Sequence, residues 1–127
     1  MPKFLIVDDE REVRQSLAEI LTGAGHEVLE TSSGTCALDL CSVEALDVVV
    51  IDILMPEKDG FETITELRRR DPALKIIAMS GEQGQGKFNV LHIAKKLGAH
   101  TTLLKPFDMA RLLSAVNQVL REPKNDS

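Results

Sequence analysis

At 127 residues the chain has room for one domain around one core and no second. Its hydrophobic share of 43% is ordinary for a globular protein, and no apolar run approaches the roughly 20 residues that a membrane helix needs. A formal net charge of -5 argues against the basic surface on which nucleic-acid affinity rests, so direct DNA or RNA binding is not expected.

Phe4-Leu5-Ile6-Val7 reads as a buried strand that runs from the N-terminus without the charged head and apolar core of a signal peptide, so a cytoplasmic location is expected. After Asp8-Asp9-Glu10, the apolar residues Val13, Leu17, Ile20, Leu21 and Ala24 recur at helical spacing and predict a helix facing a sheet. Asp9 with Glu12 has capping-box spacing, and Gly23 or Gly25 supplies the stop. Glu27 to Thr31 alternates as a shorter edge strand. Gly34 to Cys41 then predicts a short helix with Ala37, Leu38 and Cys41 inward. Its two cysteines, Cys36 and Cys41, point about 140° apart at 100° per residue and cannot pair. With no His or Cys at ligand spacing, both are expected to be buried structural thiols.

Asp47 to Ile53 is the stretch around which the rest is organised. Its β-branched run is too short for a buried helix and reads as a central parallel strand, apolar on both faces and ending at Asp52. Beyond Pro56 and Gly60, the residues Phe61, Ile64, Leu67 and Arg68 mark a third helix that stops near Asp71-Pro72. Arg68-Arg69-Arg70 at its end reads as a solvated terminus favoured by the helix dipole. Leu74 to Met79 is a fourth strand ending at Ser80. Gly81 to Gly86 is a glycine-rich loop, expected to be mobile, and Val90, Ile93, Ala94 and Leu97 form one face of a fourth helix closed by Gly98. Thr101 to Leu104 is a fifth strand ending at Lys105-Pro106. Asp108 can cap a fifth helix with Met109, Leu112, Leu113, Val116 and Leu120 inward, and residues 122–127 form a polar tail. His26, His92 and His100 share no site and have ordinary surface or partly buried roles.

Five strands alternating with five helices predict an α/β fold, a doubly wound parallel sheet of order 2-1-3-4-5 with helices on both faces. In that order Asp8, Asp9, Asp52, Ser80 and Lys105 all follow strands whose carboxyl ends meet at one edge, where ligands bind in open α/β sheets. Carboxylates packed there repel: two unit charges 5 Å apart cost about 3 kcal/mol at an effective dielectric near 20. Lys105 supplies one positive charge. A hard divalent ion held by a few carboxylates and several waters supplies the remainder, which describes Mg²⁺ better than zinc.

Asp8-Asp9, Asp52 within Asp52-x-x-Met55-Pro56-x-x-Asp59-Gly60, Ser80 and Lys105-Pro106-Phe107 closely resemble the receiver domain of bacterial two-component response regulators, over Lys3 to about Leu120. The resemblance implies a receiver over residues 1–121 in which Asp52 accepts a phosphoryl group from a histidine kinase or a histidine phosphotransfer protein. It further implies that Asp9, Asp52 and the backbone carbonyl of Leu54 bind Mg²⁺, with Asp8 acting largely through water. Lys105 would pair with the phosphoryl oxygens, Ser80 would hydrogen-bond one of them, and the Lys105-Pro106 bond would be cis. Such a chain is not a conventional enzyme, although it catalyses its own phosphorylation and dephosphorylation. Its output would pass through the face of the fourth helix, fifth strand and fifth helix to a downstream effector protein, with a homodimer left open. The polar tail favours a stand-alone regulator.

Two departures from the pattern matter. Thr102 stands where the family's switch places an aromatic ring, so the signal must use a modified two-state element. Leu54 and Glu82, two residues beyond Asp52 and Ser80, put an apolar group and an anion beside the path of attacking water and are expected to tune hydrolysis.

The rivals are weaker. Gly81 to Lys87 fits a phosphate-binding loop, but Phe88 replaces the Ser or Thr such a loop needs. A flavodoxin-like cofactor module would want its phosphate site after strand one, where this chain is acidic. A phosphohydrolase would want an Asp at the position of Leu54. The serious alternative is a phosphorylation-independent receiver-like binding or dimerisation module.

Overall fold

The structure, a computed structural model, describes residues 2–54, 60–81 and 90–121. Five strands, β1 (Lys3–Val7), β2 (Glu27–Thr31), β3 (Val48–Asp52), β4 (Lys75–Ser80) and β5 (Thr101–Leu104), pair in parallel in the order β2-β1-β3-β4-β5. The helices between and after them are α1 (Arg11–Gly23), α2 (Gly34–Val43), α3 (Gly60–Arg70), α4 (Val90–Leu97) and α5 (Met109–Arg121). The doubly wound order expected from the sequence is the one observed, with β2 at one edge.

Strand residues alternate between two cores because successive side chains point to opposite faces. Leu5, Val7, Val49, Ile51, Ile76 and Ala78 pack with α2, α3 and α4 residues such as Leu38, Ile64 and Ala94. Phe4, Ile6, Val48, Val50, Ile77 and Met79 pack with Leu17 and Leu21 of α1 and Leu112 and Val116 of α5. A sheet covered on both faces needs strands apolar throughout, and every residue of β3 and β4 is buried.

The register brings the reactive edge together. Val7 lies opposite Ile51, Asp52 opposite Met79, and Ser80 opposite Leu104. Asp8, Asp52, Ser80 and Lys105 therefore leave four strands at nearly the same level. The chain then folds back closely after β3: the Gly60 amide donates to the Ile53 carbonyl at 2.7 Å, and a Cβ on Gly60 would lie 2.4 Å from Ile53 Cα and 2.8 Å from the Asp52 carbonyl oxygen. Gly60 is thus a packing requirement where α3 begins against the end of β3.

Local signals held in some places and failed in others. Asp108 caps α5 by accepting from the Arg111 amide at 2.8 Å, and Gly25 and Gly98 follow α1 and α4 with φ of 94° and 129°. The capping box at α1 does not form. Glu10 is the N-cap residue without a side-chain cap, because Asp8 Oδ1 takes the Glu10 amide at 2.9 Å and Asp9 is turned toward the sheet edge. Cys36 is exposed and Cys41 half-buried, so the expectation of two buried thiols fails for Cys36, which lies on the outer side of α2. Burial pushes the Cys41 thiol up to about 11.

On α5 the buried stripe is Leu112, Ala115, Val116 and Val119, while Met109 is 57% exposed. Arg68 is not solvated as expected. Its guanidinium reaches the carbonyls of Pro72 and Gly98, each at 2.8 Å. Only Gly81 of the glycine-rich loop lies within the described residues, as do none of 122–127, so the expected loop mobility, the role of Glu82 and the polar tail lie outside them.

Candidate functional site

Asp8 emerges from β1 fully buried and spends both carboxylate oxygens locally. Oδ1 accepts from the Glu10 amide, and Oδ2 sits 2.8 Å from Lys105 Nζ. Asp52, 5% exposed, ends β3; its Oδ1 accepts from the Leu54 amide at 3.2 Å, and its Oδ2 lies 3.3 Å from the same ammonium. Asp9 is exposed at the mouth. One carboxylate oxygen from each of Asp8, Asp9 and Asp52 lies within 4.8 Å of the others.

Lys105 reaches inward from the end of β5. Its amide donates to the Ser80 carbonyl at 2.8 Å, and the Lys105-Pro106 bond is cis, as the resemblance implied. Ser80 is fully buried beside it. Glu10, which the sequence reading gave no role, approaches Lys105 Nζ to 3.9 Å from the open side. Its only advance signal was a third acid directly after Asp8-Asp9. Leu54, whose amide bonds Asp52, is 43% exposed.

The electrostatics are unbalanced. Burial raises the Asp52 pKa most, against the pull of Lys105, and the neighbouring Asp8 charge raises it further. Burial works against the Lys105 ammonium, yet the Asp8 hydrogen bond and the charges of Asp52 and Asp8 outweigh it and raise its pKa. Lys105 is therefore a permanent cation at neutral pH. One ammonium faces three carboxylates, and the shortfall calls for a further cation.

The donor set fits magnesium. All three donors are carboxylate oxygens, without the imidazole or thiolate that a softer ion would favour. Two oxygens bound to one octahedral ion at about 2.1 Å are separated by about 2.9 to 4.2 Å. A spread of up to 4.8 Å thus suits direct ligation by part of the trio and a water-mediated contact for the remainder.

The chain is similar to known proteins over most of its length. The response regulator receiver domain family matches residues 4–117. Chemotaxis protein CheY of Thermotoga maritima is 37% identical over 118 residues, covering 92% of this chain and 96% of that protein. Sporulation initiation phosphotransferase F of Bacillus subtilis is 32% identical over 118 residues, covering 93% of each. Response regulator protein TrrA of Thermotoga maritima, solved in complex with Mg²⁺ and BeF, superposes with a TM-score of 0.82 at 28% identity, covering 94% of this chain and 99% of that one.

Proposed function

Because the chain belongs to the response regulator receiver family and is a module of two-component phosphorelay signalling, we propose that Asp52 is its phosphoacceptor, charged by a histidine kinase or a histidine phosphotransfer protein. The observation that carries this reading is the placement of Asp52: nearly buried at the end of the central strand, with one oxygen 3.3 Å from an ammonium already anchored by Asp8. An Asp52 oxygen attacks phosphorus, the phosphorus–nitrogen bond of the phosphohistidine breaks, and its electron pair returns to the imidazole. The acyl phosphate is later cleaved by water, which restores the carboxylate and releases inorganic phosphate.

Each residue then has a physical task. Lys105 lies where it can neutralise charge on the transferring phosphoryl oxygens, and Ser80 can donate a hydrogen bond to one of them. Asp9, Asp52 and the Leu54 carbonyl would hold Mg²⁺, with Asp8 linked through water while it holds Lys105. When bound, that ion supplies charge neutralisation and orientation at the phosphoryl oxygens. That the similar TrrA was solved in complex with Mg²⁺ and BeF supports magnesium as the ion. A groove of about 600 Å³, apolar at Val13, Leu17, Ile20 and Phe107, adjoins the site at Glu10 and Lys105.

The receiver is assigned to residues 1–121. Its output is assigned to the α4, β5 and α5 face, where Thr102 is half-buried opposite Ala78 and leaves the switch to other packed elements. Among the described residues no helix is long and apolar enough to cross a membrane.

Incubation with acetyl phosphate and Mg²⁺, followed by intact-mass spectrometry, tests the central assignment. The wild type should gain one phosphoryl group and Asp52→Asn none. Equal gain in the variant moves the site elsewhere. No gain by the wild type favours a binding module that works without phosphate.

A further inference from the structure

The junction between β1 and α1 carries two of the three carboxylates of the site, yet the helix that follows starts without a side-chain cap. What fixes it is a side chain from the second turn of α1. Arg14 Nη1 donates to the Asp8 carbonyl oxygen at 2.7 Å, within the linkage that joins Asp8 to Asp9. Its Nε lies 3.7 Å from Glu30 Oε1 on β2, and the Arg14 side chain is only 17% exposed. The Arg14 amide also closes the first helical turn on the Glu10 carbonyl at 3.1 Å, while the Asp8 amide is tied to the Thr31 carbonyl at 3.2 Å.

We infer that Arg14 is a positioning residue for the metal site, acting through the Asp8–Asp9 peptide. A charged guanidinium makes a stronger bond to a carbonyl than a neutral donor does, and its planar fork holds direction in a way a lysine cannot. With the Asp8 carbonyl fixed, the Asp8–Asp9 peptide plane has one orientation, and the Asp9 carboxylate is aimed at the cluster. Glu30 holds the far side of the guanidinium, so the clamp joins β1, α1 and β2. The inference rests on the proposed Mg²⁺ site.

Charge and position make opposite forecasts. If Arg14 acted only as a nearby positive charge, removing it would tighten cation binding, because one repulsive neighbour is lost. If it positions Asp9, removing it weakens binding, and outer partners of metal ligands typically account for about 10-fold or more in affinity.

Mg²⁺ titration of the phosphate-free protein by calorimetry separates the two, with thermal melts reporting fold. Arg14→Met should bind Mg²⁺ about 10-fold more weakly than wild type, Arg14→Lys should fall between them although its charge is kept, and Glu30→Gln should show a smaller loss. Unchanged or tighter binding by Arg14→Met overturns the inference. Should Arg14→Met not fold, Glu30→Gln with wild-type affinity overturns it. Absence of binding by the wild type would instead defeat the metal site itself, before Arg14 enters.

Discussion

Each end of the sheet holds a partly buried cation, and the two are used in opposite ways. At the amino end, Arg68 of α3 donates to the Pro72 and Gly98 carbonyls at 2.8 Å and to the Asp71 carbonyl at 3.4 Å, and it approaches His100 Nδ1 at 3.3 Å. That ring nitrogen also accepts from the Ile76 amide, so the network links α3 to the starts of β4 and β5. The acceptors are backbone carbonyls and an imidazole nitrogen, not carboxylates. At the carboxyl end, Lys105 faces Asp8 and Asp52 directly and Glu10 more distantly, with Asp9 adjoining. That end is short of positive charge. A saturated network suits a fixed scaffold, whereas an unsatisfied one leaves binding energy for an ion and a phosphoryl group.

Arg68→Met should give the largest stability change. It removes the charged donor of the Pro72 carbonyl and of the part-buried Gly98 carbonyl, and the loss should be about 3 kcal/mol by urea unfolding. Mg²⁺ affinity should stay within about 2-fold of wild type, since lost outer partners of a metal site would be worth about 10-fold or more. A parallel fall in metal affinity would show that the two ends are not separable.

Lys105→Met comes next, with a loss of about 2 kcal/mol in chelator, since Asp8 and Asp52 would lose their counter-ion while water recovers part of the deficit. Here Mg²⁺ should restore much of the loss, and the melting temperature should rise more on adding Mg²⁺ in the variant than in wild type. An equal or smaller rise would mean that the carboxylates are not short of cations.

The difference between the ends also explains what was legible in the chain. Asp8, Asp52 and Lys105 could be placed from sequence because each ends or directly follows a strand, and parallel strands of known order bring their ends together. The central strand was equally plain, since Val48 to Ile51 can only be buried on two faces. Arg68 was misread because its decisive partner, the Gly98 carbonyl, is 30 residues away and carries no side-chain signature. Arg14 was missed for the same reason: it bonds a backbone oxygen. Met109 was assigned inward from helical spacing alone. Burial on α5 begins at Leu112, one turn further on, and Met109 at the helix start stays 57% exposed. The α1 capping box is absent because Asp8 takes the Glu10 amide and Asp9 lies with the carboxylate cluster, so a local rule gave way to a tertiary arrangement.

The smallest predicted effect bears on the site's imbalance most directly. Burial raises the Asp52 pKa above its unfolded value, so its contribution to stability is full below the ordinary carboxylate range and is lost as pH rises through the folded pKa. Near neutral pH the ionised group therefore opposes folding, despite Lys105. Asp52→Asn keeps the shape and cannot ionise, so in chelator it should be more stable than wild type by about 1 kcal/mol. The advantage should shrink as pH falls toward the carboxylate range, where wild-type Asp52 becomes neutral, and it should shrink or reverse when Mg²⁺ stabilises the wild type. Melts of both proteins across that range, with and without Mg²⁺, decide it. If Asp52→Asn is the less stable protein at neutral pH in chelator, the attraction between Lys105 and Asp52 outweighs burial, and the carboxyl end is as self-sufficient as the end built around Arg68.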